Sequence, residues 1–144
     1  MAGRLYESSN CIEYEKSDSG SKPKINVRLS NVKLEDYPGV IPLSIDTGFD
    51  GSILVTDEVY RFFEIGELPK KYWRTYKSLV GPITMRVAKA IVSIEPGIRM
   101  ETYVETPLFG FGKLLIGREL LDRLTIILDG PLGQLCVATL RPEH

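Results

Sequence analysis

Leu43-Ser44-Ile45-Asp46-Thr47-Gly48 sends an apolar run straight into an aspartate and then into a Thr-Gly turn. All three of the last residues are ordinary turn-formers: an Asp side chain accepts a hydrogen bond from backbone two residues on, and a glycine can supply a positive φ. A carboxylate left at the mouth of a buried strand is also well placed for acid–base chemistry. The triplet alone does not separate a turn from a catalyst, so the choice falls to its surroundings.

Ile25, Val27 and Leu29 alternate with Asn26 and Arg28, and after Tyr37-Pro38-Gly39 the run Val40 to Ile45 reads as a second strand, so Asp46 stands where a buried strand ends. Ser52 to Val55 is a further short strand. Thr56 then caps a helix with Asp57 and Glu58 in its first turn, Val59, Phe62 and Phe63 on its buried face and Gly66 as its stop. Two-residue alternation returns through Ile83, Met85 and Val87, slips phase at Ala88 and resumes through Ala90, Val92 and Ile94, which predicts a bulge. Glu95-Pro96-Gly97-Ile98 is predicted as a type II turn leading into a strand through Val104. Lys113-Leu114-Leu115-Ile116-Gly117 is too apolar to face water and is placed centrally. Leu120, Leu121 and Leu124 recur at helical spacing, and strands at 125–128 and 135–140 flank a turn at 129–133. No repeat of fixed period is present, which excludes solenoids and propellers.

At 144 residues the chain makes one domain with a real core. Residues 1–23 are polar and carry Ser17-Asp18-Ser19-Gly20-Ser21-Lys22-Pro23; they read as an N-terminal arm with one short strand at Cys11-Ile12-Glu13-Tyr14, ahead of a domain at 24–144. Eighteen basic against nineteen acidic side chains leave no electrostatic footprint for nucleic acid or an anionic membrane, so neither is expected as a partner. Met1 to Ser9 lacks the pattern of a signal peptide, and no apolar run approaches the roughly 18 residues of a membrane span, so the cytoplasm is the expected location. Cys11 and Cys136 form no C-x-x-C pair, and a disulfide between them stays open. His144 is the only histidine. Its terminal position removes any internal His base for a Ser or Cys nucleophile and any His-based zinc site, so no metal or cofactor is expected and carboxylates are the candidate catalysts. Gly112 and Gly117 have the outer spacing of a phosphate loop, but Arg118-Glu119 stands where Lys-Ser/Thr would grip phosphate and magnesium, which argues against nucleotide binding.

Two segments in order, Leu43-Ser44-Ile45-Asp46-Thr47-Gly48 and Leu114-Leu115-Ile116-Gly117-Arg118-Glu119-Leu120-Leu121, make the chain resemble the retropepsins, the single-domain aspartic proteases of retroviral type. The resemblance implies a mostly β fold: a closed antiparallel acid-protease-type barrel with one or two short helices, forming half of a twofold dimer. It implies peptide-bond hydrolysis by two Asp46 carboxylates, one from each copy of a homodimer, acting on a peptide or protein substrate. Thr47 and Gly48 then support the active-site loop, and Asp50 with Arg118 forms a structural or substrate-binding ion pair. Tyr76 to Thr84 occupies the place of a flap, so Val80, Gly81, Pro82 and Ile83, with Leu115 and Ile116, become flap or pocket candidates. Phe49 departs from the family's usual small residue and puts a ring near the site. A competing reading keeps the fold and loses the chemistry, leaving an inactive dimeric peptide-binding or scaffolding domain.

Overall fold

The computed structural model describes residues 3–141, so His144 lies outside it. Strand β1 (Tyr6–Glu13) and a hairpin of β2 (Glu15–Ser17) and β3 (Gly20–Lys22) precede β4 (Lys24–Ser30), β5 (Ile41–Ile45) and β6 (Ile53–Leu54). Helix α1 (Asp57–Tyr60) runs into 3-10 turns at Arg61–Gly66 and Lys70–Tyr72, before β7 (Arg74–Ser78), β8 (Gly81–Ile94) and β9 (Ile98–Pro107). Then come β10 (Leu115–Ile116), α2 (Arg118–Leu121), β11 (Ile126–Asp129) and β12 (Gln134–Leu140).

The main sheet runs β4-β5-β10-β6-β9-β8-β7, and an additional β4–β8 pairing closes six of these strands into a ring with β7 outside. The expected closed barrel is therefore present and mostly antiparallel; β5–β10 and β6–β9 are its parallel pairs. Closure leaves no free edge within the ring. Ile25, Leu29, Leu43, Ile53, Val92, Val104 and Ile116 fill its interior without exposure to solvent, and Phe63 and Leu120 plug it from the helical segments. Thr56 caps α1 as its sequence suggests, its side chain accepting from the Val59 N–H. The expected helix converts to 3-10 geometry at Arg61 but still buries Val59 and Phe63.

Two expectations change. The arm is largely strand: β1 pairs along its length with β12, which also pairs β11, forming a separate three-stranded sheet. Most β1 side chains are exposed on both faces, so no alternating apolar pattern marks it. The phase slip in β8 is not a bulge, because the β8–β9 register runs unbroken from Met85↔Pro107 to Ile94↔Ile98. Val87 and Ala88 are both buried because this end of the strand is covered on both faces, with Ala88 bridging Glu67 and Val87 paired with the buried Glu105. At the turn into β9, Gly97 takes the positive φ expected of it (67°), and the Glu95–Pro96 peptide is cis.

Cys11 and Cys136 face each other across β1 and β12 and form a disulfide, which resolves the open question of their state. Reduction should lower the unfolding free energy by about 2–4 kcal/mol. Urea titrations with and without reductant measure it, and an unchanged midpoint would show that the bond does not form.

Candidate active site

Strand β5 carries Asp46 out of the core. The Ser44 N–H donates to the Leu114 carbonyl (3.1 Å) and the Asp46 N–H to the Ile116 carbonyl (3.0 Å), so the parallel β5–β10 pairing fixes the backbone of the aspartate itself. Beyond it the chain turns. The Phe49 N–H donates back to the Asp46 carbonyl (3.2 Å), and the Gly48 N–H donates to Asp46 Oδ1 (2.9 Å), forming an Asx turn. Gly48 does not adopt the left-handed conformation that turn chemistry suggested. Its lack of a side chain serves proximity, since a β-carbon there would lie 3.2 Å from Asp46 Oδ1. Asp46 is half-buried, while Thr47 and Gly48 are exposed.

The loop's far side is stitched to the start of α2. The Gly117 N–H donates to the Ser52 carbonyl (2.7 Å), the Arg118 N–H to the Phe49 carbonyl (2.8 Å) and the Glu119 N–H to the Gly51 carbonyl (3.2 Å). This approach needs glycine at 117, where a β-carbon would fall 2.3 Å from the Gly51 carbonyl oxygen and 2.5 Å from the Phe49 ring. Asp50 and Arg118 form the expected ion pair, and both side chains are exposed. The Phe49 ring packs against Gly51 and Gly117 and meets Tyr76 edge-on, centroids 5.4 Å apart. Its bulk thus supports the loop from within.

Other candidates divide. Leu115 is half-buried beside Ser44 in the pairing. Ile116 is wholly buried and belongs to the core, so it positions Asp46 and cannot line a pocket. A β7–β8 hairpin occupies the stretch expected of a flap, with Leu79 and Val80 at its tip almost fully exposed and Gly81 at φ 109°. Among the described residues no hydrogen bond joins Val80, Gly81, Pro82 or Ile83 to the Asp46 loop; the hairpin meets the loop through its base, at Tyr76. A groove of about 550 Å³ opens elsewhere, between the arm and the barrel at Cys11, Ile12, Asn26, Arg28 and Ile98.

Behind the loop lies a cluster that sequence reasoning missed. Glu105, on β9, is wholly buried. Its Oε1 accepts from the Tyr76 hydroxyl (2.6 Å), and its Oε2 accepts from Arg74 Nη1 (3.1 Å) and the Ser52 N–H (3.3 Å). Arg74 also lies 3.0 Å from Glu119 and stacks on the Tyr103 ring at 5.0 Å. Burial pushes the Glu105 carboxyl above the usual range, although Tyr76, Arg74 and the Ser52 N–H pull the other way. Burial works against the Arg74 charge, but the Tyr76 hydrogen bond, Glu105 and Glu119 outweigh it and leave the guanidinium more basic than usual. The signal in the sequence was faint: alternation along β9 keeps Arg99 and Glu101 outside, and only its failure at Val104-Glu105-Thr106, all buried, sets Glu105 apart.

No protein-family model matches the sequence, and no match appears among curated proteins. Among solved structures, a retropepsin-like aspartic protease from Rickettsia conorii superposes with a TM-score of 0.54 at 20% identity, over 90% of this chain and 98% of that one. The fold is that of the retropepsins. The EIAV protease, complexed with an inhibitor, is a more distant likeness: TM-score 0.45 and 17% identity, over 76% of this chain and 93% of the protease.

Gly117→Ala should cost about 1–3 kcal/mol, since the loop has no room for a methyl group; chemical denaturation reads the loss. Glu105 gives a pH prediction. Its carboxyl is raised in the folded chain above its ordinary value of 4.5, so its contribution to stability is full below that value and is lost as pH rises through the folded one. The stability difference between wild type and Glu105→Gln should therefore shrink with rising pH across that window, and a constant difference would contradict the assignment.

Proposed function

We propose that the chain is an aspartic endopeptidase whose active site is completed by a second copy, with the two Asp46 carboxylates facing each other on a twofold axis. The observation that carries this reading is a half-buried aspartate at the end of a core strand, in a loop locked to Gly117, on the retropepsin fold. One copy supplies one such carboxylate, and a twofold operator brings the same residue from each protomer to the axis.

The chemistry needs two carboxylates sharing one proton, because like charges at that distance cannot both ionise. The ionised member takes a proton from a water, whose oxygen attacks the scissile carbonyl carbon. The protonated member gives its proton to the carbonyl oxygen. Collapse of the tetrahedral species, with proton transfer to the amide nitrogen, breaks the C–N bond and releases a carboxyl and an amine. No covalent enzyme intermediate forms. Because the mechanism needs one proton held between the two carboxylates, activity should favour acid pH. Thr47, Gly48, Asp50 and Arg118 hold the loop, and the β7–β8 hairpin with its apolar tip supplies the cover that excludes water. The substrate is a peptide or protein.

A non-catalytic dimer that binds peptides is the second reading, and the Asx turn favours it by giving Asp46 a structural duty. Asp46→Asn separates the two, because the amide oxygen can still accept from the Gly48 N–H. The substitution should leave thermal stability and the sedimentation of the dimer unchanged while abolishing cleavage of a mixed peptide library at acid pH. Equal cleavage by wild type and variant would sink the proposal, as would a wild-type protein that is monomeric and still cleaves.

A further inference from the structure

The most unusual group outside the Asp46 turn is the Glu105 carboxylate. An isolated buried charge is costly, and an apolar side chain would serve packing more cheaply. Here the carboxylate is kept and its partners come from different elements. Tyr76 and Arg74 belong to β7, the outer strand of the hairpin, whereas Ser52 belongs to the Asp46 loop. Gly51 must lack a side chain for the loop to come this close, since a β-carbon there would lie 2.3 Å from Glu105 Oε2 and 2.7 Å from the Tyr76 hydroxyl. Arg74 extends the same node to Glu119 on α2, directly after the Gly117 stitch. β7 has one sheet neighbour, β8, so its other attachments are these side chains.

We propose that Glu105 is a positioning residue that couples the β7–β8 hairpin to the Asp46 loop, so that the placement of the hairpin over a bound peptide and the setting of the Asp46 loop are one linked event. The charged and titratable groups around it are Arg74 and Tyr76 from β7 and Glu119 from α2; the Ser52 N–H completes the shell from the loop. Two carboxylates share one guanidinium, and the shared Arg74 makes the three elements depend on one another. The coupling is a property of the fold, while its effect on turnover rests on the endopeptidase reading.

Tyr76→Phe tests it, because the change is made on the hairpin and keeps the ring against Phe49, while the decisive readout is in the loop. Hydrogen exchange on the full chain should accelerate about tenfold in both the 74–86 hairpin and the 46–52 loop, as expected for loss of one charge-assisted hydrogen bond. The terminal sheet at 126–140 should be unchanged. Tyr60→Phe serves as control: it removes a comparable bond, Tyr60 hydroxyl to Glu67 at 2.8 Å, and should leave loop exchange alone. Acceleration confined to the hairpin in Tyr76→Phe, or equal loop acceleration in Tyr60→Phe, would overturn the coupling. With a fluorogenic peptide chosen from the library by wild-type cleavage, kcat should fall about ten- to a hundredfold with KM nearly unchanged, the mark of misplaced catalytic groups. A rise in KM alone would overturn the positioning role. If wild type cleaves nothing, the endopeptidase reading fails, and the exchange experiment still decides the coupling.

Discussion

Parallel pairing between β5 and β10 is the constraint on which the rest of the site depends. Two residues on each strand suffice for it, Ser44 and Ile45 against Leu115 and Ile116, yet it fixes the backbone of Asp46 directly through the Ile116 carbonyl. Parallel neighbours cannot be joined by a tight turn. The intervening chain must therefore travel out and back, and on its way it builds α1, the hairpin and β9. The central strands of the ring and the loop at its mouth thus come from opposite ends of one long excursion, and Gly117 is where the two meet without room for a side chain.

Around this centre the molecule uses the same device twice. Tyr60, Glu67 and Arg86 form one cluster: a buried phenol donates to a carboxylate, and a guanidinium pairs with that carboxylate while stacking on the phenol ring at 4.8 Å. Tyr76, Glu105 and Arg74 form the other, with the guanidinium stacked on Tyr103 instead. Each satisfies a polar group that closure of the barrel would otherwise leave without a partner. Their difference is location, for the second sits against the loop that carries Asp46.

How much of this was legible in the sequence depended on how local each feature is. The strand into Asp46, the apolar Leu114-Leu115-Ile116 run and the Thr56 cap show themselves in a few consecutive residues, whereas the Asp50–Arg118 pair was implied only by the resemblance to the retropepsins. The arm was misread because β1 gains its stability from main-chain bonds to β12, with Tyr6 opposite Leu140, and leaves its own side chains mostly in water. The false bulge at Ala88 came from assuming one buried face on a strand that is covered on both. Glu105 was hidden for a related reason. A carboxylate in an alternating strand reads as outward-facing, and only the tertiary arrival of Tyr76, Arg74 and Ser52 makes its burial tolerable.

The disulfide between β1 and β12 joins positions 125 residues apart, so nearly the whole barrel lies inside one covalent circle. Protruding loops are the segments of a folded chain most open to proteolytic attack. A single cut at the Leu79–Val80 tip, or anywhere else inside the circle, opens a ring into a line and releases nothing. Both pieces remain tethered, the strands can stay paired, and damage that would separate an unlinked chain into fragments becomes a nick in an otherwise intact molecule.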